Sequence, residues 1–107
     1  MNNKDYVGSA ELLENLVGEA SNLGPEMFLS LAPESAASLL QTTGCDPQVT
    51  EFMARSLMQA AEYREKSGDE ATAQLRRDQA RAIAVAYGHD LSVSMEEWMH
   101  EHDFSEQ

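Results

Sequence analysis

The sequence predicts an all-α fold, a compact bundle of four to five helices with a long antiparallel hairpin at about 46–67 and 69–87. Three observations point there. The apolar residues are mostly Ala, Leu and Met with few Val and Ile, a balance that favours helix over strand. They recur at spacings of three and four, as one side of a helix requires. Gly24-Pro25, Pro33, Gly44 with Asp46-Pro47, Gly68-Asp69 and Gly88 cut the chain into segments, with Pro just inside helix starts and Gly just past helix ends.

The first helix is expected at about 9–22. Ser9 is its capping residue and Glu11 suits the first turn. Leu12, Leu13, Leu16, Val17, Ala20 and Leu23 form one apolar stripe, read as the buried side. Residues 25–43 are expected to make two short helices. Pro25 opens a turn carrying Met27, Phe28 and Leu31, and Pro33 starts a second helix with Ala36, Ala37, Leu39 and Leu40, stopped by Gly44. Both should pack on the first helix.

The long helix that follows runs from the Asp46 cap and Pro47 to about Lys66. Val49, Phe52, Met53, Leu57, Met58, Ala60, Ala61 and Tyr63 supply its buried side, and Arg55, Glu62 and Glu65-Lys66 lie off it. The next starts at Asp69 and ends before Gly88, with Leu75, Ala82, Ile83, Ala86 and Tyr87 inward. The Gly68-Asp69 joint is short enough to force antiparallel neighbours. Ser94-Met95-Glu96-Glu97 is a capping box that opens a last helix of two turns, with Met95, Trp98 and Met99 on one side. The whole 1–107 reads as one domain, with 1–5 and 103–107 frayed.

The long hairpin resembles a single unit of a tetratricopeptide repeat, through Ala61, the Gly68-Asp69 joint, Ala73 and Ala80. It departs from that pattern where Arg77 replaces a large apolar residue and where no Pro closes the unit. Stacked repeats need about three copies, and this chain offers one. The resemblance implies a protein-binding role only.

Charge is unevenly spread. Residues 1–54 carry eight acids and one base, 55–81 five acids and six bases, and 82–107 six acids and no Lys or Arg, for a net charge of −12. Such a field repels nucleic acid and anionic membrane surfaces, so neither is expected as a partner. Cys45 is the single cysteine, and the N-terminus has no apolar run behind its one base, which together suggest a cytoplasmic protein.

No motif points to catalysis. The chain lacks a glycine-rich phosphate loop and a nucleophile-elbow serine. Cys45 would need a nearby base, for which His89, His100 and His102 are candidates, and it reads as structural. Glu97-x-x-His100 has helical metal-site spacing, but no second such motif exists, so no metal or other cofactor is expected.

Two features invite contact. Arg76, Arg77 and Arg81 form either an outer face paired to Glu70 and Asp78, or a patch for an acidic segment such as residues 96–106. Trp98 with Met95 and Met99 either plugs its own bundle or anchors in a partner's groove. These six are the expected partner-contact residues. The function expected is a non-catalytic protein-interaction module (an adaptor, small chaperone or regulatory subunit), and self-association as a homodimer fits the same surfaces. The alternative is an acidic inhibitor that blocks a basic or nucleic-acid-binding site. A metal-dependent helical protein stands third.

Overall fold

Proline and glycine set the helix ends as the punctuation predicts. The computed structural model describes residues 5–91, so Met95, Trp98, Met99, the Glu97-x-x-His100 spacing and the expected last helix lie outside the described residues. The helices are α1 (Tyr6–Ala20), α2 (Pro25–Leu29), α3 (Pro33–Thr43), α4 (Pro47–Lys66) and α5 (Glu70–Tyr87), with no strand among the described residues. Pro occupies the first position of α2, α3 and α4, where its missing N–H costs no helix hydrogen bond. Asp46 accepts from the Gln48 amide at 2.8 Å and Asp69 from the Thr72 amide at 3.1 Å, which caps α4 and α5. Gly44 (φ 72°) and Gly88 (φ 73°) turn the chain left-handed and end α3 and α5.

The expected start of the first helix is corrected. Asp5, rather than Ser9, caps α1, its carboxylate accepting from the Gly8 amide at 2.8 Å. The helix therefore begins three residues earlier and encloses Ser9.

Packing follows one pattern. α4 and α5 form the long antiparallel hairpin, α1 lies along α4, α3 lies along α5, and α2 rests on α1. The expectation that α3 packs on the first helix is therefore corrected, and Gln41 Nε2 donates to the Ala86 carbonyl at 3.2 Å across the α3–α5 pair. Ala60, Ala61, Ala73 and Ala80 are all buried, so α4 and α5 meet their neighbours through methyl groups and approach closely. Val17, Phe28, Leu40, Met53, Leu57 and Ile83 fill the centre. At the far end of α1, Tyr6 stacks on Tyr63 with ring centroids 6.2 Å apart, and Lys66 Nζ lies 5.8 Å from the Tyr6 ring.

α2 meets α1 at Gly18. A Cβ at that position would overlap the Cα and N of Pro25, so only glycine lets the α1–α2 corner close. The Gly24 amide donates to the Gly18 carbonyl at 3.1 Å and fixes the same corner.

Candidate functional site

The inward side of α1 carries a charge at its centre. Glu14 is buried, along with Ala10, Val17 and Gly18, and it receives two arginines from two other helices. Arg64 of α4 clasps it with both oxygens engaged, Nε to Oε2 at 3.0 Å and Nη2 to Oε1 at 2.8 Å. Arg76 of α5 donates Nε to Oε2 at 2.8 Å. Arg76 also donates Nη1 to the Leu29 carbonyl and to Gln79 Oε1, at 3.2 and 3.1 Å. Gln79, fully buried, spends its amide nitrogen on the Leu29 and Leu31 carbonyls at 3.1 and 3.0 Å. One carboxylate thus ties α1 to α4 and α5, and one amide ties α5 to the α2–α3 joint.

Burial pushes the Glu14 carboxyl up, but the hydrogen bonds and charges of Arg64 and Arg76 together outweigh it and hold it below the ordinary glutamate range. Arg64 is in turn pushed up, chiefly by its hydrogen bond to Glu14. A cleft of about 580 Å³ is lined by Glu14, Arg64 and Arg76 of this cluster together with Glu11, Asn15 and Glu26. The Glu14 carboxylate, held ionised and already accepting three charged hydrogen bonds, makes a poor proton acceptor, and the arginines are already committed to it. The cluster is a clamp between helices.

This geometry corrects the arginine patch. Arg76 is only 8% exposed and faces Glu14, so it is not an outer contact residue. Arg77 reaches across the hairpin to Glu65 at 2.8 Å. Arg81 lies 3.9 Å from Asp78, with its side chain 60% exposed. The three thus do not form one face. Arg55, expected off the buried side of α4, is likewise buried, donating to Glu51 at 3.1 Å and to the Asp90 carbonyl at 2.8 Å. Sequence spacing places Arg76 and Arg55 on the surface because the acceptors that draw them inward, Glu14 and the Asp90 carbonyl, lie 62 and 35 positions away.

The leucine stripe of α1 is also corrected. Val17 is buried and Leu13 and Ala20 are half-buried, whereas Leu12 is 62%, Leu16 41% and Leu23 36% exposed. Leu12 and Leu16 are one turn apart and share a side of the helix that faces solvent, opposite Ala10, Glu14 and Val17. Beside that row runs a second, Glu11, Asn15 and Glu19, all exposed. Met27 on α2 is 58% exposed as well.

The Cys45 corner is chemically quiet. Burial pushes the Cys45 thiol up, against a smaller opposing hydrogen bond to the Asp46 backbone. His89, the one candidate base among the described residues, is engaged elsewhere: its Nε2 lies 3.0 Å from Thr50 Oγ1 and its ring stacks on Tyr87. Thr50 Oγ1 already donates its proton to the Pro47 carbonyl at 2.9 Å, so His89 Nε2 is the donor of that pair. The Tyr87 hydroxyl donates to the Cys45 carbonyl at 3.4 Å. No group of three metal-ligating side chains occurs among the described residues, and no helix there is long and apolar enough to cross a membrane.

No family model, curated protein or solved structure matches this chain.

Proposed function

We propose that this protein is a non-catalytic protein-interaction module, an adaptor, small chaperone or regulatory subunit of the cytoplasm. The observation that carries the reading is the solvent-facing row of Leu12 and Leu16 on α1, in a helix that has turned a glutamate inward instead. Neighbouring large apolar side chains held in water by a well-anchored helix favour a covering partner. The saturated Glu14 clamp and the quiet Cys45 corner speak for binding over catalysis. Arg81 is open enough to contribute a contact, and Met95, Trp98 and Met99 remain candidates from the sequence.

The test is capture of partners by the full chain from its native source, in parallel with a Leu12→Glu/Leu16→Glu variant. A stoichiometric complex that forms with the natural chain and dissolves with the variant supports the reading. A complex that ignores these leucines removes its basis.

A second reading is favoured by a separate observation. Residues 5–54, which hold α1, α2 and α3, contain no Lys or Arg. An acidic inhibitor that covers a basic site would use such a surface, and its complex would weaken steeply with added salt.

A further inference from the structure

We propose that the α1 row of Leu12 and Leu16, with the parallel row of Glu11 and Glu19, is the seat for a basic amphipathic helix of another protein. The inference rests on the interaction-module reading and names the chemistry of its partner.

Two parallel rows carry it. Leu12, Leu16 and the half-buried Ala20 follow one another at four-residue steps, as do Glu11, Asn15 and Glu19. Consecutive rows of this kind lie side by side on a helix surface. An apolar seam with charge along its flank is how a helix selects a second helix: the seam supplies burial and the flank supplies register and sign. Here the flanking sign is negative: the field of Arg64 reaches Glu11, but Arg64 spends its hydrogen bonds on Glu14. α1 contains no Lys or Arg. The two arginines that approach it, Arg64 and Arg76, are turned to Glu14. Glu19 has no cation paired to it among the described residues.

Charge also separates the possible occupants. Residues 92–107 of this chain bring Glu96, Glu97, Glu101, Asp103 and Glu106 and no Lys or Arg, so they would set acid against acid. A second copy of α1 would bring its own Glu11 and Glu19 to the same seam. A helix with leucine-type residues on one side and Lys or Arg beside them meets both rows.

The test uses the full chain and a fluorescein-labelled peptide of about 20 residues, with leucines in a helical seam and lysines flanking it, read by anisotropy. Two control peptides carry glutamates in place of the lysines, or the same composition with the seam scrambled. Leu12→Ala/Leu16→Ala should weaken binding of the seamed lysine peptide about tenfold or more. Glu11→Gln/Glu19→Gln should weaken it about threefold and flatten its salt dependence. Neither control peptide should bind comparably. Circular dichroism confirms that both variants keep their helix content, as alanine and glutamine at exposed helical positions allow.

Failure of the lysine peptide to bind, or binding that ignores the leucine pair, overturns the proposal. So does a dimer of the natural chain in sedimentation that the leucine variant dissolves, because the occupant is then a second copy. A shift of Trp98 emission on Leu12→Ala/Leu16→Ala without peptide also overturns it, assigning the seat to the chain's own C-terminal segment. If the peptide fails while a captured native complex still depends on Leu12 and Leu16, only the basic chemistry is wrong. If that complex ignores the leucines too, the interaction reading falls with it.

Discussion

Glu14 shows how a residue can be assigned to the wrong side of a helix. In water a glutamate costs nothing to expose, and burying its charge without partners is expensive. Here the burial is compensated by two guanidiniums, 50 and 62 positions further along the chain. Nothing within one helical turn of Glu14 announces them, which is why the sequence pattern places Arg76 outside and Leu12 and Leu16 inside. Replacing Glu14 with Gln should destabilise the protein by about 3 kcal/mol, because buried Arg76 loses its carboxylate partner and Arg64 keeps only Asp69 at 3.8 Å. Chemical denaturation at pH 7 measures it. A second prediction concerns acid. The Glu14 carboxyl titrates lower in the folded chain than in the unfolded one. Its contribution is therefore fully present above the unfolded value of about 4.3 and is lost as pH falls through the depressed folded value. Between pH 5 and pH 3 the natural chain should lose more stability than Glu14→Gln, and denaturation midpoints across that range decide it.

At the scale of elements, the chain's own punctuation made most boundaries legible. α2, α3, α4 and α5 begin where Pro and Asp require, and α3 and α5 end at left-handed Gly44 and Gly88, because those signals act on the backbone through bonds to residues two to five positions away. α1 was the exception. Asp5 and Ser9 are both competent caps, and the choice between them falls to Tyr6, whose ring gains Tyr63 and Lys66 only after α4 is in place. Its periodicity specifies a helix but does not say which of two stripes faces inward. The α1–α2 corner yields a prediction of its own. Alanine normally stabilises a helix interior over glycine by about 1 kcal/mol. Gly18→Ala should instead destabilise by about 2 kcal/mol, since the new Cβ overlaps the Pro25 backbone and the corner must open. Thermal melts of the two proteins give the sign directly.

The whole molecule carries its net negative charge on two stretches, 1–54 and 82–107, on either side of a near-neutral centre. α1, α2 and α3 contain no base, whereas the bases of α4 and α5 are largely drawn into pairs with Glu14, Glu51, Glu65 and Asp78. Self-repulsion of a chain at −12 should be relieved by salt. The melting temperature should thus rise by about 3–6 °C between 10 mM and 0.5 M sodium chloride. A fall would mean that exposed ion pairs outweigh net repulsion. The all-α bundle and its long hairpin were legible in the sequence, while the candidate surface was not, because it depends on which way α1 rotates about its axis.

That rotation is the claim on which the function rests, and the thermal unfolding of Leu12→Glu/Leu16→Glu tests it most directly. With both side chains in solvent, the melting temperature should stay within about 3 °C of the natural chain, as exposed substitutions do. A fall beyond about 15 °C would place those leucines in the core, since burying two unpaired carboxylates costs several kcal/mol, and the row offered to a partner would not exist.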